Sequence, residues 1–324
     1  MKKLLLCYLI FLCFFYSNSQ NKISSIKDSV ISTNNNPLGF FYDNYDSIPK
    51  EVNDSNKNFR YSTHSIISDS SISIEKLDNK SALKLTLFPG QLHHKANGYR
   101  SELSLVGGNP NNNDEWYEIS FMIPESYKID SGNIGREVSI FQLHSVRQKN
   151  EMKLFNRPSV QFLYLEQYNK KLILLRYGLN GEEGTDYENY KWKLIAISEI
   201  NKGEWNTVRF NIKWSFTNTG YIAAWLNEKP YTPFNGVDNK VYGANMHNKR
   251  QSYLKIGYYR YWDNSYPTEI FFDYVKVART FKQLTGKDPT TKELFNVEND
   301  YRYLEDKQRV LSDIKFRKEV SIKK

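Results

Sequence analysis

Cysteine is almost missing from this chain of 324 residues: there are two, Cys7 and Cys13, and both fall in the first apolar stretch. Beyond residue 13 no thiol is available to form a disulfide, ligate zinc or act as a nucleophile, so disulfide scaffolds, cysteine metal sites and thiol catalysis are excluded. Stability must come from a packed core instead. Glycine (16), proline (10) and methionine (4) are also sparse, which excludes collagenous and low-complexity architectures. Long hydrophobic runs are absent after "LLLCYLIFLCFFY" at 4–16. Two lysines precede that run and Ser17-Asn18-Ser19 follow it, the pattern of a secretory signal peptide (1–19) cut before Gln20. It is too short to span a bilayer. The expectation is a secreted or periplasmic protein with no membrane insertion.

The chain has a surplus of positive charge, 45 basic against 36 acidic residues and a formal charge of +9. On an exported protein this fits a polyanionic partner, whether acidic polysaccharide, nucleic acid or an anionic surface, and it also fits mere solvation of the surface. Aromatic residues make up 15% of the chain, in keeping with a β-rich core.

Residues 20–37, "QNKISSIKDSVISTNNNP", are polar and without sustained period, the composition of a flexible leader. From there to about 282, short apolar and aromatic runs alternate with Gly, Asn, Asp and Pro. Ten read as strands: 82–88, 99–106, 116–123, 137–144, 159–166, 171–178, 206–214, 221–227, 253–262 and 269–278. With no long helical period between them, residues 38–282 are expected to form one all-β domain, a two-sheet antiparallel jelly roll of concanavalin-like shape. Residues 283–324 are expected to be a charged, partly helical tail, and the protein a monomer.

Alternate residues of a strand share a face. In "YRSELSL" that rule groups Arg100, Glu102 and Ser104; in "SIFQLHS" it groups Gln142 and His144; in "SYLKIGYYRYW" it groups Lys255, Gly257, Tyr259 and Tyr261. Each group alone reads most simply as a surface ion pair, a structural histidine or a packed tyrosine. If the three strands are neighbours, however, they form a patch of guanidinium, amide, imidazole, ammonium and phenol that is too polar for a core. Gly257 would leave room there for a ligand to approach the backbone.

In this order and spacing, "RSE" at 100–102, "QLH" at 142–144 and "KIGYY" at 255–259 resemble the jelly-roll polysaccharide lyases, heparin lyase I most closely, with alginate and glucuronan lyases as relatives. The resemblance covers about 80–280. It departs from the alginate pattern at Ser104, where a second arginine is usual, and at Tyr261, where glutamine is.

The resemblance implies β-elimination on an anionic, uronate-containing polysaccharide such as glucuronan, ulvan, a heparin or heparan-like chain, or alginate. Arg100 and Gln142 would neutralise the uronate carboxylate. His144 would take the C5 proton, and Tyr259 would protonate the leaving oxygen, its phenol acidified by Lys255 or Arg260. A single tyrosine serving as both base and acid stays open. Lys255, Glu102, Arg260, Arg147 and His94 are the candidate substrate contacts, with His93 and Lys149 beside them. No cofactor is required; Asp273, a carboxylate in a strand pattern, is the candidate ligand of a structural Ca²⁺.

Other readings are a non-catalytic polysaccharide-binding protein, which would not need histidine and tyrosine beside arginine and glutamine, and a sandwich glycoside hydrolase. The hydrolase would need paired carboxylates, commonly as E-x-D-x-x-E, which the chain lacks. Nucleic acid is disfavoured because the basic residues are scattered.

Overall fold

The computed structural model describes residues 41–46, 59–77, 79–93, 98–107, 114–144, 158–167, 170–179, 191–215, 217–233, 238–246 and 252–289. The expected signal peptide (1–19), the expected leader (20–37) and the chain beyond 289 lie outside these. In chain order the described strands are β1 (Phe41–Asp43), β2 (Phe59–Ser65), β3 (Ile72–Leu77), β4 (Lys80–Leu87), β5 (Tyr99–Gly107), β6 (Asp114–Met122), β7 (Val138–His144) and β8 (Pro158–Gln167). They continue with β9 (Lys170–Leu179), β10 (Lys191–Glu199), β11 (Asn206–Lys213), β12 (Tyr221–Leu226), β13 (Lys229–Pro230), β14 (Val241–Tyr242), β15 (Tyr253–Arg260) and β16 (Thr268–Ala278), and a short helix, α1 (Phe281–Thr285), follows. No described helix is long and apolar enough to cross a membrane.

The strands form two antiparallel sheets. One runs β10-β9-β8-β7-β15-β5-β2; the other runs β13-β12-β11-β6-β16-β4-β3, with β1 on β16 and β14 on β12. This is the two-sheet sandwich expected from the strand count. Each of the ten strand-like runs falls on an observed strand.

The inward residues of both sheets make one core. Phe141 and Phe162 of the first sheet meet Phe121 and Phe210 of the second, with ring centroids 5.8 Å apart for Phe121–Phe141, 4.4 Å for Phe141–Phe162 and 5.3 Å for Phe162–Phe210. Leu83, Leu85, Leu103, Ile119, Ile256 and Phe272 fill the space around them. At about 2–3 kcal/mol for each large side chain removed from water, this core supplies the stability that cysteine does not.

Sequence neighbours do not sit side by side in the first sheet. β15, late in the chain, inserts between β5 and β7. The register pairs Lys255 with Ser104, Gly257 with Glu102 and Tyr259 with Arg100 on one side. On the other it pairs Lys255 with Gln142 and Tyr253 with His144. That insertion brings the three motifs together.

Candidate active site

On the outward face of the first sheet, β5 contributes Arg100 and Glu102, β15 contributes Tyr253, Lys255 and Tyr259, and β7 contributes Gln142 and His144. Glu102 is at the centre and is 1% exposed. Its Oε1 accepts from Gln142 Nε2, and its Oε2 lies 3.2 Å from Lys255 Nζ and 3.9 Å from Arg100 Nη1. Lys255 Nζ also reaches Ser65 Oγ at 3.4 Å, and Gln161 Nε2 of β8 donates to Gln142 Oε1 at 3.2 Å. Glu102 and Lys255 are thus buried and engaged with each other beneath the face. They form its charged floor rather than surface contacts for a substrate.

Above that floor, the Arg100 guanidinium lies over the Tyr259 ring, 4.5 Å from its centroid. Arg100 Nε is buried with no hydrogen-bond partner among the described residues. Tyr261, 76% exposed, meets Tyr259 edge-on at 5.0 Å. Gly98 has φ +133°, and a Cβ there would come within 2.5 Å of Tyr259 Cε2, so only glycine lets the phenol ring settle where it does.

Burial pushes the Tyr259 phenol well above its usual pKa, and its bond with Tyr261 adds to this; the Arg100 guanidinium opposes both without prevailing. The expectation of an acidified phenol is therefore corrected. Lys255 is paired with Glu102, and Arg260, next along the strand, points to the other side. Arg260 is 1% exposed in the interior, its Nη1 donating to Thr268 Oγ1 at 3.0 Å and its guanidinium 4.7 Å from the Trp262 ring. As a substrate contact it is a miss, and the same alternation that selected Tyr259 excludes it.

Gly257 also needs a different account. Its φ is +116°, and a Cβ would come within 2.2 Å of Ser101 O and 2.9 Å of Leu85 Cδ1. The collision is with backbone and core, so glycine is required by the local bend and not to open space for a ligand. That bend is a bulge: the pairing of β15 with β7 slips between Ile256 and Tyr259, while its pairing with β5 stays regular.

Asp273 lies on β16, in the other sheet, with Lys80 Nζ 3.8 Å from its carboxylate. Among the described residues no group of three or more His, Cys, Asp or Glu could hold a metal ion. The calcium expectation thus finds a lysine beside Asp273 and no ligand set there. His93 is buried, with its backbone N–H bonded to Gly98 O at 3.1 Å. His94, Arg147 and Lys149 lie outside the described residues.

The structure adds residues that the motifs did not flag. Tyr253 stands 5.6 Å from His144, ring to ring, and burial pushes its phenol up to about 12, with Glu102 adding to the rise and Arg100 opposing it. Ser139, paired with Tyr259, has a buried Oγ with no hydrogen-bond partner among the described residues. Gln161 holds Gln142. The period-2 rule could have found Tyr253, two residues before Lys255, and Gln161, a polar residue in the apolar run 159–166; the bulge places Ser139, and no motif announces a bulge.

The family model described as polysaccharide lyase matches residues 53–276 of this chain. A search of the curated proteins gave no match. Among solved structures, an endo-β-1,4-glucuronan lyase from the fungus Trichoderma reesei is similar at 20% identity and a TM-score of 0.47, over 66% of this chain and 88% of that one. An alginate lyase from Pseudomonas aeruginosa is similar at 18% identity and 0.45, over 66% and 87%. A marine alginate lyase from Aplysia kurodai is similar at 9% and 0.43, over 64% and 87%.

Proposed function

This chain belongs to the polysaccharide lyase family, and on that premise we propose that it is exported and cleaves a uronate-containing polysaccharide by β-elimination on the outward face of β5, β15 and β7. The observation that carries the proposal is that Arg100, Gln142, His144 and Tyr253 share that face, the rings of Tyr253 and His144 lying 5.6 Å apart.

Elimination at a uronate needs three things at one sugar. The carboxylate must be neutralised so that charge can build up as the C5 proton leaves. Arg100 and the Gln142 amide supply donors for this. A base must then take the C5 proton, and His144 supplies the imidazole on this face, a group whose unperturbed pKa of about 6.5 suits the task. As the C5–H electrons form the C4=C5 double bond, the C4–O bond breaks and the leaving oxygen takes a proton. Tyr253 suits the last role: it pairs with His144 and burial holds its phenol protonated at neutral pH, whereas Tyr259 pairs with Ser139, five residues or roughly 17 Å further along β7. The raised phenol therefore favours the assignment of His144 as base and Tyr253 as acid over a single tyrosine doing both.

The decisive experiment is a panel of uronate polymers, glucuronan, ulvan, heparan-type chains and alginate, with the ultraviolet absorbance of the unsaturated uronate followed. The reading requires absorbance to rise on at least one polymer with wild type and not with Tyr253→Phe. Binding without any such product would instead make this a polysaccharide-binding protein.

A further inference from the structure

The geometry points to Gln161 as the positioning residue that fixes which edge of the Gln142 amide faces the substrate. This inference rests on the elimination mechanism above, in which Gln142 must offer an N–H to the uronate carboxylate.

A glutamine side chain can present either a donor or an acceptor, and a half-turn about its last bond exchanges them. Facing a carboxylate, the difference is between attraction and repulsion. Two neighbours fix the choice here. Glu102, buried with Lys255 and Arg100 around it, only accepts as a carboxylate, so the Gln142 nitrogen must turn to it. The Gln142 oxygen then faces the other way, and Gln161 Nε2 meets it at 3.2 Å.

The donors run in one direction, from Gln161 to Gln142 to Glu102, across β8, β7 and β5. All three side chains are buried. The second N–H of Gln142 is the group left for a ligand. Without the donor from Gln161, the amide has one tether and a bare oxygen beside the anion's place.

The test compares Gln161→Glu and Gln161→Met in the purified protein, reading kcat relative to wild type on the preferred polymer from about pH 4.5 to pH 8. Glutamate has the shape of glutamine. While ionised it has no hydrogen to give Gln142, but once protonated its O–H can donate as the amide does. Gln161→Glu should therefore lose about 10- to 30-fold in kcat at the alkaline end, of the order expected for one misdirected charged contact, and regain most of it at the acid end. Gln161→Met should show a comparable loss that does not change with pH.

Circular dichroism melts at both ends of the range separate unfolding from the effect. Should the glutamate variant melt early, the methionine variant alone decides the matter, because a folded Gln161→Met with wild-type kcat overturns the proposal. A flat ratio for Gln161→Glu, or the same loss at every pH in both variants, also overturns it. If wild type itself releases no unsaturated uronate, the mechanism fails and not merely the role of Gln161.

Discussion

Each sheet buries a glutamate among cations on its outward face, and the two clusters differ in what they leave uncommitted. On the second sheet, Glu118 of β6 accepts from Arg209 Nε at 2.7 Å and lies 2.6 Å from Arg209 Nη2, with Lys276 Nζ at 3.0 Å and Tyr274 OH at 3.1 Å. Burial alone would raise its pKa, but Arg209 and Lys276 outweigh burial and hold the carboxyl below its usual value. The cluster is closed, every strong donor facing the carboxylate. On the first sheet, Glu102 holds Lys255 and Gln142 closely but Arg100 only at 3.9 Å, and an imidazole and a phenol stand beside it. A cluster of opposite charges is thus poor grounds for a site; what marks one is donor capacity directed outward next to groups that can move a proton.

The comparison is broken most severely at Tyr253. Replacing it with phenylalanine removes one hydroxyl and should lower kcat at least about a hundredfold, the usual scale for a lost general acid, while the melting temperature stays near wild type. A similar cut at the cations should separate the sheets. Arg100→Ala is expected to lose about a hundredfold in kcat/KM with a modest change in stability, whereas Arg209→Ala should keep its turnover and lose about 3 kcal/mol of stability by leaving Glu118 short of its partner. Equal effects on turnover would mean that the two faces are alike in function.

The pH dependence of stability sharpens the contrast. Because the folded pKa of Glu118 lies below its ordinary 4.5, the ionised form is favoured in the folded protein. Its contribution is present above the unfolded pKa and is lost as pH falls through the folded one. Melting temperature should therefore drop on acidification in wild type, and less so in Glu118→Gln.

Asp43, on β1, has the opposite sign. Burial pushes its carboxyl from 3.8 up to about 6, against the bond it accepts from the Tyr45 backbone N–H. The folded state then holds the extra proton, so stability declines as pH rises from about 4 to 6. Asp43→Asn should gain about 2 kcal/mol at pH 7 and almost nothing at pH 4, read from denaturant midpoints at the two values.

Legibility in the sequence followed position in the sheets. The six strands that the alternation did not reveal, β1, β2, β3, β10, β13 and β14, each pair with a single neighbour among the described residues. A strand bonded on one side only carries polar residues such as those of "FRYSTHS" and "KWKLIAISE", which blur the apolar period, while central strands with two neighbours keep it. For the site, period two placed Arg100, Gln142, His144, Lys255 and Tyr259 on common faces. It could not show that the lysine is held under Glu102 or that burial would prevail over charge at the phenol, since both depend on how deep the face lies, which spacing does not encode.

The bulge at Gly257 bears on how such a motif can change over time. β15 keeps one register with β5 and another with β7, so the four-residue step from Lys255 to Tyr259 satisfies both neighbours at once. A one-residue deletion inside that step would turn Tyr259 into the interior and bring out Arg260 in its place, leaving a folded sandwich without the ring under Arg100. The rest of the chain can drift in length through its loops. This segment can exchange side chains but cannot lose a residue without changing what it presents, which makes its spacing as informative as the identity of any one residue in it.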